Sequence, residues 1–202
     1  MSSVIYDISM SLDGYVRAAN PRPDAPLGVG GEALHDWAMN DEDAVGRDVL
    51  DRGVAATGAM ICGRTTYDDS IRWWQADGPS GRARLPLFVV THTAPSEVPA
   101  GGVYVFVTTG IEDALAQARA AADGKAVSIM GGPDVATQFL RAGLVDEVSI
   151  HLVPVLFGAG TLLTATLPAH IKLEPTDQVS GPSATHLRYR VRYEARQTTA
   201  RS

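Results

Sequence analysis

The sequence predicts an α/β fold built on a mainly parallel sheet, and three observations carry that expectation. Apolar runs of strand length recur along the chain. Several are apolar throughout instead of alternating, as strands covered on both faces are. Between them lie segments with helical spacing and helical start and stop signals, so strand and helix alternate.

Val4-Ile5-Tyr6 opens the first strand. A Pro- and Gly-rich stretch at 18–31 follows it, long for an ordinary connection and suited to a binding loop or lid. A helix is expected over about Asp41 to Arg52. Ala59-Met60-Ile61-Cys62 and Leu87-Phe88-Val89-Val90 read as buried strands, with loops at 76–86 and 93–102 around the second. Val103-Tyr104-Val105-Phe106-Val107 is a further strand. Thr109-Gly110-Ile111-Glu112 reads as a capping box, with the threonine hydroxyl serving an orphan amide while Glu112 reaches back. Glu112 and Asp113 also complement the helix dipole. Ile111, Leu115, Ala118 and Ala122 share one face, and Gly124 marks a stop.

Ala126-Val127-Ser128-Ile129-Met130 is the next strand, running through paired glycines into a helix from Pro133 to about Gly143. Val135 and Phe139 lie one turn apart on its inner face. Beyond it the pattern changes. Val148, Ile150 and Leu152 alternate with Ser149 and His151. Leu187, Tyr189, Val191 and Tyr193 alternate with Arg188, Arg190, Arg192 and Glu194. The second alternation describes an antiparallel strand near the sheet edge. Its arginines read better as a solvated face than as a phosphate site.

The 202 residues suit one domain, expected over 1–196, with a frayed tail at 197–202. A formal net charge of -6 argues against a general nucleic-acid or anionic-membrane surface, while leaving room for phosphates held locally by amides and an arginine. Cys62 stands alone in an apolar run and reads as a small buried hydrophobe. The start has no secretory pattern, and no apolar stretch approaches the roughly 20 residues that span a bilayer. A soluble, cytoplasmic protein is expected. The histidines at 35, 92, 151, 170 and 186 show no ligand spacing, so no metal is expected.

Three strand ends could hold phosphate. Met130-Gly131-Gly132-Pro133-Asp134-Val135 joins a buried strand directly to a helix start, where missing Cβ atoms let a ligand approach the backbone and free amides face it. A tight turn needs glycine as well, and the charge of Asp134 sits awkwardly beside a phosphate. Gly63-Arg64-Thr65-Thr66-Tyr67 offers hydroxyls and a bidentate guanidinium, or simply a capped helix with a surface arginine. Thr91 and His92 follow another strand. Ligands of open α/β sheets bind outside the carboxyl ends of strands, so the three loops together say more than any one.

The ordered set of motifs resembles the dihydrofolate reductase superfamily. It is most similar to the branch like the reductase domain of the bifunctional riboflavin-biosynthesis deaminase-reductase. The matching pieces are Met10-Ser11-Leu12-Asp13-Gly14-Tyr15, Gly63 to Tyr67, the strand ending Val90-Thr91, Gly131-Gly132, Gly143-Leu144-Val145-Asp146-Glu147, and Pro154 to Gly160. The resemblance spans about residues 4 to 195. It implies an eight-stranded, mainly parallel sheet with helices on both faces and an antiparallel C-terminal strand, with NADPH across the strand ends.

Under that resemblance Gly131 and Gly132 adjoin the pyrophosphate through a cis peptide, and Arg64 faces the 2′-phosphate. Thr65 and Thr66 flank the pyrophosphate, Thr91 and His92 line the adenosine end, and the first long loop covers the nicotinamide. A homodimer paired through C-terminal regions is also implied. The chain departs from classical dihydrofolate reductases before its first helix, where Gly30 to Trp37 replaces the pterin-gripping Trp-x-x-Pro-x-Asp stretch, so folate is not the expected substrate.

Asp36 is the first candidate for a substrate-facing acid, with a solvent-facing carboxylate as the alternative. Glu32 and His35 are secondary candidates. Trp37 is a pocket wall or core, and Asp13 is a turn residue near the nicotinamide end. Three functional readings stand. The first is an NADPH-dependent reductase of a small pterin-like, pyrimidine-like or carbonyl substrate. The second is the 5-amino-6-(5-phosphoribosylamino)uracil reductase of riboflavin synthesis, whose phosphate would call on Arg17 and Arg22. The third is a non-catalytic nucleotide-binding protein that keeps the cofactor cleft.

Overall fold

The computed structural model describes residues 2–164, 167 and 169–193. Eight strands form the central sheet: β1 (Val4–Ser11), β3 (Thr57–Gly63), β4 (Leu87–Val90), β5 (Tyr104–Val107), β6 (Ala126–Ile129), β7 (Glu147–Val153), β9 (Lys172–Ser180) and β10 (Thr185–Arg192). Their order is β5-β4-β3-β6-β1-β7-β10-β9. Every pairing from β5 to β7 is parallel, and β10 runs antiparallel to both β7 and β9. A separate antiparallel pair joins β2 (Tyr15–Ala18) to β8 (Gly160–Leu162). The α/β architecture with an antiparallel C-terminal strand is the one expected.

Five α-helices are described: α1 (Asp36–Met39), α2 (Ala44–Ala56), α3 (Arg64–Trp74), α4 (Ile111–Ala121) and α5 (Pro133–Ala142). The alternation of side chains along each strand sorts them onto two faces. Val4 and Tyr6 of β1, Ile61 of β3, Val127 and Ile129 of β6 and Val148 of β7 pack under α4 and α5 against Leu115 and Phe139. On the opposite face α3 covers Cys62, Leu87 and Val89 through Tyr67. Farther along that face Leu34, Trp37, Val153 and Ala184 form a small cluster with Val49 of α2. Between these two clusters the face is polar, with Asp7, Ser9, Ser128, Ser149 and His151.

Several local expectations need correction. The helix read as Asp41 to Arg52 starts at Ala44 and runs to Ala56, because the buried Asp43 carboxylate accepts the Gly46 N–H at 2.8 Å and caps it. The capping box at Thr109 does not form. Gly110 at φ 110° is the N-cap, and the Thr109 hydroxyl bonds instead to the Asp113 carboxylate. The arginine-bearing strand β10 is antiparallel and near the edge, as expected, but β9 lies outside it, exposed along nearly its whole length. Arg188 pairs with Glu147, while Arg190 and Arg192 pair with Glu174. No helix among the described residues is long and apolar enough to cross a membrane. The tail expected at 197–202 lies outside the described residues.

Candidate active site

One cleft of about 2120 Å³ follows the carboxyl ends of β3, β4 and β6 and continues beneath α1 and α2 along the polar face of the sheet. Its first half gathers the three phosphate-compatible loops. Gly63, Arg64, Thr65 and Thr66 come from the β3–α3 junction, and Thr91 and His92 follow β4. Met130, Gly131, Gly132, Pro133, Asp134 and Val135 come from the β6–α5 junction.

Close packing explains the glycines. A Cβ on Gly131 would sit 2.3 Å from the Thr66 hydroxyl oxygen, and Gly131 holds φ +87°, a conformation side chains resist. The Gly132 N–H donates to Thr66 Oγ1 at 3.1 Å, so the hydroxyl expected to meet a phosphate also ties the two loops together. Pro133 at the first helical position leaves the Asp134 and Val135 amides at the open end of α5. The cis Gly131–Gly132 peptide is not found, since among the described residues no peptide bond is cis. A left-handed Gly131 makes the turn instead.

Arg64 reaches the cleft already engaged. Its Nε lies 2.8 Å from both Asp68 carboxylate oxygens, and its Nη1 donates to the Thr93 carbonyl at 2.7 Å. Any phosphate there shares the guanidinium with Asp68. The first long loop borders the same cleft through Asp24, Ala25, Pro26, Leu27 and Gly28.

The second half holds groups the sequence reading did not single out. Asp7 on β1 and His151 on β7 face the cleft side by side, with Asp7 Oδ1 3.2 Å from His151 Nε2. His151 Nδ1 meets Nδ1 of His186 on β10 at 2.8 Å. Register causes this meeting: His151 and His186 are direct cross-strand partners, as are Ser9 and His151. Burial raises the Asp7 carboxyl, but hydrogen bonds from His151 and Ser149 and the charges of His151 and Arg188 outweigh it and hold it below the usual carboxylate range. Burial, with His151 beside it, lowers the pKa of His186 and favours the neutral ring.

Asp36, the first candidate acid, does line the cleft, but from the exposed start of α1. Glu32 and His35 border the cleft nearby and are exposed too. Trp37 is buried and forms a wall: its Nε1–H donates to Ser9 Oγ at 2.9 Å. Asp13 is outside the cleft. Its carboxylate accepts from the Ser11 hydroxyl at 2.6 Å and from the Phe157 and Gly158 amides, which hold it ionised and pin two loops together. Cys62 is fully buried, and burial pushes its thiol pKa far up, so it acts as packing.

The model of the RibD C-terminal domain family matches residues 2–183. The chain belongs to that family. Solved structures share its architecture. One from Shewanella sp. PV-4, named as a riboflavin biosynthesis protein, is 24% identical with a TM-score of 0.70, over 96% of this chain and 100% of that one. A pyrimidine reductase-like protein from Corynebacterium diphtheriae is 16% identical with a TM-score of 0.65, over 96% and 93%. A deaminase/5-amino-6-(5-phosphoribosylamino)uracil reductase from Thermotoga maritima is 14% identical with a TM-score of 0.63, over 94% of this chain and 56% of that longer one. At these identities the structures speak for the fold, and the family match speaks for kinship. No curated protein matches the sequence. Membership of the RibD C-terminal domain family supports an oxidoreductase.

Proposed function

We propose that this member of the RibD C-terminal domain family is an NADPH-dependent reductase that transfers hydride to a small, nitrogen-rich heterocycle or carbonyl compound. The observation that supports the reading best is the continuity of the cleft. A loop-lined half built for close backbone approach opens directly onto a polar half walled by Trp37 and floored by Asp7, Ser9 and His151.

NADPH supplies the hydride, and the protein's part is positioning. The Gly131–Gly132 turn and the open amides of α5 would hold the pyrophosphate. Arg64 would meet the 2′-phosphate, and Thr91 and His92 would border the adenosine. In the other half Ser9, Ser128 and Ser149 offer hydroxyls to a polar ring, and the Trp37 indole offers an apolar wall.

The phosphoribosyl substrate of the riboflavin-pathway reading fits less well. Arg17 pairs with Asp69 at 3.1 Å and Arg22 with Asp24 at 3.4 Å, so a second phosphate would have to share either guanidinium with a carboxylate, as the 2′-phosphate would at Arg64. An unphosphorylated substrate suits these pairs. The polar floor likewise favours an enzyme over a cofactor-binding protein without turnover. We infer a homodimer as well, with the exposed edge strand β9 as the surface through which two copies pair.

Anaerobic turnover assays that follow NADPH absorbance over a panel of aminopyrimidines, pterins and carbonyl compounds test the reading. NADPH consumption with at least one compound, reduced by Asp7→Asn, is expected. Tight NADPH binding with no consumption across the panel would support the non-catalytic alternative.

A further inference from the structure

The polar half contains two buried imidazoles in contact, an arrangement that cross-strand packing alone does not require. His151 and His186 are 5% and 6% exposed, and their rings meet edge to face. His186 Nε2 is buried with no partner, and so is Asp43 Oδ2. All three border the cleft, and Asp7 is the most open of them, its side chain 40% exposed. A buried imidazole nitrogen without a partner costs free energy, and such a cost at a cleft marks a group kept for its chemistry.

Protonation states follow from the contacts. An ionised Asp7 only accepts, so His151 Nε2 carries the proton between them. In the neutral pair His151 Nδ1 then accepts from His186 Nδ1–H, and His186 Nε2 keeps a bare lone pair. One added proton lands on that lone pair, against the burial that favours the neutral ring, and charges a directed wire already in place. It runs His186 Nδ1–H to His151 Nδ1, then His151 Nε2–H to Asp7.

We propose that Asp7, His151 and His186 form the acid–base unit of the substrate half, a wire that stores one proton on the imidazole pair and presents it to a bound substrate at Asp7. The inference rests on the reductase reading and deepens it. Bound NADPH would supply a hydride, two electrons and a hydrogen, to the electrophilic carbon of a C=O or C=N group as the π bond to the heteroatom breaks. As charge gathers on the heteroatom, the His151 Nε2 proton moves onto the Asp7 carboxylate, the carboxyl so formed gives a proton to the heteroatom and returns to its ionised state, and His151 takes the Nδ1 proton of His186. Both rings end neutral, and a proton from water that returns through Asp7 to His151 Nε2 sends the Nδ1 proton back to His186 and restores the stored charge. Asp7 is the catalytic residue, while His151 and His186 act through it.

The charged and titratable groups around the pair are Asp7 on β1, Asp43 capping α2, Arg52 on α2, His35 before α1, Arg188 on β10 and Asp177 on β9. Asp43 favours the added proton on His186, and Arg52 opposes it. Burial and the neighbouring His151 oppose it more strongly than either.

Imidazole nitrogen NMR against pH tests the wire, with assignments from single His→Gln variants. In wild type the unit requires a proton on His151 Nε2, a bare His151 Nδ1, and coupled titration in which one proton enters the pair well before a second. Asp7→Asn should move the first step to lower pH, and His186→Gln should remove the coupling. A His151 protonated on Nδ1 with Nε2 bare, or two rings titrating independently, would overturn the proposal from the wild-type spectrum alone.

Saturation with NADP+ and then NADPH supplies the second arm. If the unit faces the reacting ring, the positive nicotinamide should move the first titration step to lower pH than the neutral one does; identical titrations would overturn the catalytic role. Fluorescence quenching run alongside separates the two failures, because absent cofactor binding removes the reductase reading while the proton wire stands or falls on the spectra.

Discussion

The Trp37 indole lies 4.1 Å from the His151 imidazole, centroid to centroid, with the planes inclined by 37°. The same indole meets His186 edge-on at 4.9 Å and donates its N–H to Ser9. Ser9 and His151 sit opposite each other on β1 and β7, so one side chain from α1 spans the two strands that floor the polar half. Trp37 therefore fixes the ring that Asp7 and His186 address.

Trp37→Phe keeps most of the ring contact and removes the donor to Ser9. The expected loss is about 1 kcal/mol in urea unfolding. Trp37→Ala also leaves a cavity against two buried imidazoles, and about 3–5 kcal/mol is expected. Equal losses in the two variants would show that the hydrogen bond, not the packing, anchors α1.

Stability should fall in acid in two stages. His186 has a folded pKa below its unfolded value, so the unfolded chain binds the extra proton first. Its contribution is complete above about pH 6.5 and is lost as pH falls from there through the folded value. Asp7 and Asp43 are depressed carboxyls, whose contributions are complete above about pH 4 and lost as pH falls through their folded values. Urea midpoints across pH should drop in both windows. His186→Gln should shrink the upper stage, leaving the part that the likewise lowered His35 contributes, and leave the lower one.

Gly131→Ala places a methyl 2.3 Å from the Thr66 hydroxyl at a backbone angle alanine resists. A loss of about 1–3 kcal/mol is expected. The β6–α5 turn should open with it, and NADPH affinity should fall at least tenfold. Thr66→Ser, which trims the crowding methyl and keeps the acceptor for Gly132, should recover part of the affinity in the double variant. Full NADPH affinity in Gly131→Ala would remove this turn from the cofactor site.

Asp68 competes with a 2′-phosphate for Arg64. Asp68→Asn should tighten NADPH several-fold while leaving NADH unchanged, and the gain should shrink at high salt because the site is partly exposed. An equal gain for both cofactors would place the 2′-phosphate elsewhere.

The parallel core was legible because β3, β4 and β6 are runs of apolar residues with few polar breaks, Ser128 among them, and the helices α4 and α5 because their buried positions recur at helical spacing. β9 was not legible. Lys172 to Ser180 is an exposed edge with Pro175 inside it, so no face carries an apolar row. β2 and β8 are four and three residues long, too short for a period to show.

At the site, the glycine turns could be placed from sequence because strand and helix signals met there. Asp7, His151 and His186 could not, since they come together through strand register across residues 7, 151 and 186. The available signal was parity. Asp7 and Ser9 interrupt the apolar residues of β1 on one face, and Ser149 and His151 do so on β7; that face reads as solvated until α1 and α2 roof it.

The most direct measurement is an equilibrium titration of NADPH and NADH by quenching of Trp37, Trp73 and Trp74, all of which border the cleft, in wild type and Arg64→Ala. The account expects tight NADPH binding, weaker NADH binding, and loss of that preference in Arg64→Ala. Binding of neither cofactor by the wild type would contradict the reductase reading outright.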